Sequence, residues 1–309
     1  MEVTNTINNT SENTSGSAAG RLRFVDIAKG ISIICIILGH LGIHNITRVV
    51  FTFHVPIFFL ITGYFIRVKE GVRDFAVKKA RTLLVPYFVT SLVMIAIAAL
   101  NLEARWRIAV IAALFAFGYY SRNLFWFPLS IQAGACATAF MYAGHLFRVE
   151  KGILRGLSNE TRVFGTLVAL CTWVMFIKDF QAFWLVNCDF GRGVVDIFGC
   201  ICACYVVLLG SYFLERAEQA RDAGGTVAGS AAACLTDGLA YIGKYSLLVL
   251  CIHIVELNFL PWFAVFKKYG MPAALHQPAR IAGKMCLDLG GAYLLSKSGA
   301  VRKLFGYKE

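Results

Sequence analysis

The chain has 309 residues, of which 58% are hydrophobic and 16% charged, with a formal net charge of +12 and a mean hydropathy of +0.65. Soluble domains carry about 45–50% apolar and about 25% charged residues, so the composition excludes an ordinary soluble enzyme and predicts an all-α, polytopic integral membrane helical bundle. The Lys and Arg lie in short segments between apolar stretches, which is the positive-inside pattern and excludes a nucleic-acid-binding role; nothing alternates with the period of a membrane barrel.

Residues 1–20 are rich in Asn, Thr, Ser and Gly and have no apolar core of a signal peptide. They are expected to be a disordered cytoplasmic tail, leaving 21–309 as a single membrane domain. Spans are expected at 24–45, 50–66, 80–101, 124–147, 162–180, 192–214, 238–258 and 278–296. The stretches 108–120 and 180–190 are apolar but short, so the expected number is about eight to ten transmembrane helices. With the N-terminus inside and the spans alternating, about two thirds of the 30 Lys and Arg fall on the inner side. That bias places both termini in the cytoplasm of a multi-pass cell-membrane protein.

The first span is the most informative. Asp26, Lys29 and His40 stand in an otherwise apolar stretch. At about 100° per residue Lys29 and His40 are offset by about 20°, and Asp26 and His40 by about 40°. All three share one stripe, with Lys29 and His40 about 16 Å apart along the axis. Such a stripe must face protein or water, and it marks a candidate site. A neutral imidazole at His40 can take a proton from a hydroxyl; a histidine bridging helices is the structural alternative. His44, four residues on, lacks a nearby acidic or Cys ligand in sequence and reads as interfacial.

The second span opens on Phe53, His54 and Pro56, with Pro56 suited to a first helical turn and Gly63 to close helix packing. Lys78 and Arg81 open the third on one helix face. They can cradle cofactor phosphates or anchor the membrane edge on anionic lipid. Trp126 starts the fourth at the outer interface. His145, near that span's inner end, has no evident partner. His253 and Glu256 in the seventh span are three apart on one face, and His40, His54 and His253 reach a similar outer depth. The ten Cys lie mostly in apolar spans and behave as small hydrophobes; Cys200, Cys202 and Cys204 cannot share a ligand face on a helix. No metal site is expected.

These segments, in this order, resemble the membrane acyltransferase 3 family: Phe24-Val-Asp26-Ile-Ala-Lys29-Gly30-Ile31 with Gly39-His40, then Phe53-His54-Val-Pro56 with Gly63-Tyr64, then Lys78-Lys79-Ala-Arg81 with Pro86-Tyr87, then Trp126-Phe127-Pro128-Leu129, and Tyr241-Ile-Gly243-Lys244 with Ser246 and His253. The resemblance is to the branch of bacterial sugar O-acetylases that is all membrane domain. It implies a basic residue, here Lys29 where the family usually has Arg, ten positions before an essential His40. It implies that Lys78 and Arg81, with Lys29, meet the phosphates of an acyl-CoA donor, acetyl-CoA foremost, which is a substrate and not a resident cofactor. Asp26 would hold the inner end of the donor path, and His54, His253, Glu256 and Trp126 would shape the acceptor end. The acceptor would be a hydroxyl of a cell-surface glycan or lipid-linked sugar. The rival class is a transporter or flippase, which the same polar stripe would suit; no inverted internal repeat supports it.

Overall fold

The computed structural model describes residues 22–65, 104–126, 130–149, 156–222 and 227–307. These residues are almost entirely helical. The expected third span, with Lys78 and Arg81, lies outside them. Helix α1 (Arg23–Gly39) is followed by the short α2 (His44–Val50) and by α3 (Pro56–Phe65). Next come α4 (Ala104–Ser121), α5 (Ile131–Val149) and α6 (Asn159–Lys178). A two-residue β-hairpin, β1 (Phe183–Trp184) and β2 (Asp189–Phe190), follows. The remaining helices are α7 (Val194–Asp222), α8 (Val227–Lys244), α9 (Ser246–Phe259), α10 (Trp262–Lys268), α11 (Ala273–Met285), α12 (Gly291–Ser296) and α13 (Gly299–Leu304).

The expected first span is cut short. α1 stops at Gly39, and Gly42 takes a φ of +71°, a left-handed turn that glycine adopts without strain. The chain then folds back as α2. Pro56 is the first residue of α3, where its missing N–H is no loss. The apolar stretch 108–120 is part of α4, whereas 180–190 is the hairpin and its 3-10 turn (Leu185–Asn187). The expected seventh span is broken at Tyr245, where the helices on either side meet at 73°. The eighth is helical throughout, with Cys286–Gly290 forming a π-turn between α11 and α12.

Among the described residues, α6 and the Val194–Gln219 stretch of α7 are each long and apolar enough to cross a membrane, and the bent pair α8–α9 gives a third such segment. The protein is a multi-pass membrane protein. Only 11% of the apolar stretch of α6 is buried within the protein, and it exposes Val163, Phe164, Leu167 and Val174. An apolar helix with so little protein around it faces lipid.

Two glycine contacts draw the bundle together. A Cβ on Gly30 would stand 2.0 Å from the Leu239 carbonyl oxygen, and one on Gly243 would stand 1.8 Å from that of Asp26. The α1 and α8 backbones therefore touch. Gly63 and Gly144 allow the equivalent contact between α3 and α5, where a Cβ on either would stand 1.9 Å from the opposing carbonyl oxygen. Small residues allow this approach where lipid offers no hydrophobic drive between helices. One core gathers Phe53, Phe140, Met141, Phe183 and Phe190; another packs Ile33, Ile36 and Ile37 of α1 on Tyr245, Leu248 and Val249. The second core seats the end of α1 against α9.

Candidate active site

At the end of α1, two side chains and a backbone N–H take up the last carbonyls. The imidazole of His40 donates from Nδ1 to the Ile36 carbonyl at 2.8 Å. Arg280 of α11 donates to the His40 carbonyl at 2.8 Å, and the backbone N–H of Leu41 closes on Leu38. These contacts satisfy acceptors that a helix leaves open, and the guanidinium complements the negative end of the helix dipole. His40 itself is exposed.

Behind His40 stands a buried ionisable cluster. His253 Nε2 is 3.4 Å from His40 Nδ1, with the ring centroids 5.2 Å apart. On its other side, His253 Nδ1 lies 2.7 Å from Asp288 Oδ2 and 3.4 Å from Glu256 Oε2. Lys284 Nζ donates to both Glu256 oxygens, at 2.8 and 2.6 Å. Trp262 Nε1 donates to Glu256 as well. His253, Glu256, Lys284 and Asp288 are each at most 2% exposed. Buried charge survives only when paired, and here the pairing is dense. His253, Glu256 and Asp288 bring one ligand atom each within 4.8 Å of one another, a spacing a metal ion would also use. The cation held against Glu256 is instead the Lys284 ammonium.

The hydrogen bonds fix the tautomers. A carbonyl only accepts, so His40 carries its proton on Nδ1. That N–H is shared between Ile36 and the lone pair on His253 Nε2. His253 then keeps its proton on Nδ1 and donates it to Asp288. The remaining nitrogen of His40, Nε2, has no hydrogen-bond partner among the described residues, and its lone pair is left available. A group of this kind can accept a proton from a hydroxyl.

Three of the expected site residues, His40, His253 and Glu256, come together. His54 stands next to them. Its Nδ1 donates to the Val50 carbonyl at 2.7 Å, and Phe51 lies between the two imidazoles, 4.6 Å from the His54 ring and 6.3 Å from that of His40. Trp184 of the hairpin meets the same Phe51 in a tilted contact, with ring centroids 6.1 Å apart. Trp126 is 43% exposed and makes no contact with this cluster among the described residues. Asp26 is buried and Lys29 half-buried. Both sit toward the opposite end of α1, where Arg23 bridges Glu218 and Asp237 at 2.8 and 2.7 Å. Lys78 and Arg81 lie outside the described residues.

Sequence reasoning missed Lys284, Asp288 and Trp262. The signal was present: Lys284 and Asp288 are two ionised residues inside an apolar span, which marks a functional position in a membrane protein.

Residues 22–127 match the model of a family described as an acyltransferase domain, that of the membrane acyltransferase 3 proteins. No curated protein and no solved structure matches the chain. The matched stretch holds His40 and His54 and ends before His253, Glu256, Lys284 and Asp288. Over about a third of the chain, residues 22–127 are thus similar to an acyltransferase domain.

Proposed function

We propose that the protein moves an acyl group, acetyl foremost, from cytoplasmic acyl-CoA to a hydroxyl of a cell-surface glycan or lipid-linked sugar. The observation that carries the reading is the exposed His40, whose Nδ1 is tied to the Ile36 carbonyl so that Nε2 is left as the base. The acceptor oxygen attacks the thioester carbon while His40 Nε2 takes its proton. The carbon–sulfur bond breaks, and the departing thiolate collects the proton, giving an ester and free coenzyme A.

α1 spans about 25 Å over its 17 residues, close to the hydrocarbon thickness of a bilayer. With the N-terminus in the cytoplasm, the donor phosphates meet Lys78, Arg81 and Lys29 at the inner face, and Asp26 holds that end of the path. The acyl group reaches His40 at the far end, where His54 and Trp126 flank the acceptor. His253 and Glu256, expected from the sequence at the acceptor, stand instead behind the base. Because α9 and α11 complete its surroundings, 21–309 is read as one functional unit.

The test is acyl transfer by purified protein in nanodiscs, with labelled acetyl-CoA and extracted envelope glycans, read by mass spectrometry. His40→Ala abolishes transfer while the protein stays folded. Full turnover by that variant overturns the reading. Movement of glycan across vesicles without acylation would establish the transporter class instead.

A further inference from the structure

The buried groups behind His40 form a directional chain that an isolated base would not require. Asp288 Oδ2, His253 Nδ1, His253 Nε2 and His40 Nδ1 are linked by contacts of 2.7 and 3.4 Å across one imidazole. Asp288 is fully buried, and its second oxygen, Oδ1, has no hydrogen-bond partner among the described residues. Such a carboxylate is costly to keep ionised unless its partner's charge offsets it. The cluster's own charges do not balance while His253 is neutral: Glu256 and Asp288 are negative and Lys284 positive. One added proton closes the sum. The cluster is therefore built to receive positive charge at the moment a proton arrives.

Resting on the proposed role of His40 as base, we propose that Asp288, acting through His253, is a positioning residue that fixes the tautomer of His40 and compensates the charge formed on it during acyl transfer. As the acceptor hydroxyl gives its proton to His40 Nε2, the Nδ1 proton of His40 is drawn toward His253 Nε2. The positive charge spreads onto His253, whose Nδ1–H already faces Asp288. When the thiolate leaves, the proton returns by the same route and ends on the coenzyme sulfur, so the cluster is restored. Lys284 and Trp262 hold Glu256 beside His253 and keep its carboxylate from competing for the Nδ1 proton. The charged and titratable groups around the His40 ring are His253, Glu256 and Lys284, with His54 on the α3 side, Arg280 at its backbone carbonyl and Asp288 beyond His253.

Asp288→Asn tests this in the full-length protein in nanodiscs. The Asn amide donates to His253 Nδ1, flips its proton to Nε2 and sets that N–H against the N–H of His40. The expected result is a fall in kcat of roughly 10²–10⁴-fold, an unchanged KM for acyl-CoA, and an acid limb of the pH–rate profile displaced to lower pH because the imidazolium has lost its counter-charge. Asp288→Glu restores part of the rate. A folded D288N with parental kcat and parental acid limb overturns the inference, and leaves the base reading intact if His40→Ala is still dead. A His40→Ala that still turns over sinks the base reading instead. The unmutated protein supplies a check that needs no variant to fold: ¹⁵N chemical shifts of the labelled imidazoles place a proton on Nδ1 of both His40 and His253, and the Nε2–H form of either ring contradicts the chain.

Discussion

Replacing Lys284 by Met removes the ammonium from the two Glu256 oxygens at 2.8 and 2.6 Å and keeps an unbranched side chain of similar length. At about 2.7 Å and an effective dielectric of about 20, the direct attraction is about 6 kcal/mol, much of it offset by the cost of keeping both ions out of water. What the variant exposes is the other side of that balance. Glu256 is 1% exposed and, among the described residues, would retain the Trp262 N–H and the His253 contact at 3.4 Å. Breaking a buried pair in this way costs about 3–5 kcal/mol, a loss of roughly 10²- to 10³-fold or more in the folding equilibrium. The double variant Glu256→Gln with Lys284→Met removes both charges and leaves Trp262 an acceptor, so most of the loss is expected to return. The assay is reversible unfolding of purified protein in mixed micelles, comparing parent, K284M, E256Q and the double variant. A K284M within about 1 kcal/mol of the parent, or a double variant no more stable than K284M, refutes the reasoning that an isolated buried carboxylate sets the cost.

Two further outcomes are expected. Gly243→Val places a side chain where even a Cβ stands 1.8 Å from the Asp26 carbonyl oxygen; α1 must move off α8, at a cost of at least about 1–3 kcal/mol, and thermal unfolding in detergent reads this as a lowered midpoint with acyl transfer lost in parallel. Lys78→Ala with Arg81→Ala weakens acyl-CoA binding, and the difference from the parent shrinks as salt is raised; titration at two ionic strengths checks it, and identical binding returns these residues to a lipid-anchoring role.

The helical membrane character was legible in the sequence because apolar length alone decides it. His40, His253 and Glu256 were legible for a related reason: ionisable residues in apolar spans stand out, and alternating the spans put them at one depth. The polar stripe is less legible: 24–45 reads as one helix, whereas α1 ends at Gly39 and Gly42 takes a left-handed turn, so the imidazole sits on a helix terminus with a carbonyl partner of its own. Lys284 and Asp288 are hidden at the sequence level because a Lys inside the eighth span also serves as a topology signal and a single Asp in it has no partner close in sequence. The broken seventh span could not be seen either, since Tyr245 is an ordinary helix residue and nothing in the apolar pattern marks the 73° bend there. Lys29 and Asp26 kept their place on α1 but lie at the end away from His40, where a donor path and not the chemistry would use them.

The π-turn at Cys286–Gly290 has a consequence for anyone comparing this chain with others. A turn closed over five residues holds one more residue than its α counterpart, so the positions before and after it are out of phase by about 100°. Lys284 belongs to the register upstream and Asp288 to the turn itself. A residue-by-residue correspondence with a protein whose last helix is uninterrupted must open a single-position gap between Met285 and Gly291. Without it, the acidic side chain facing His253 would be paired with a neighbour that points elsewhere, and its equivalent would go unrecognised.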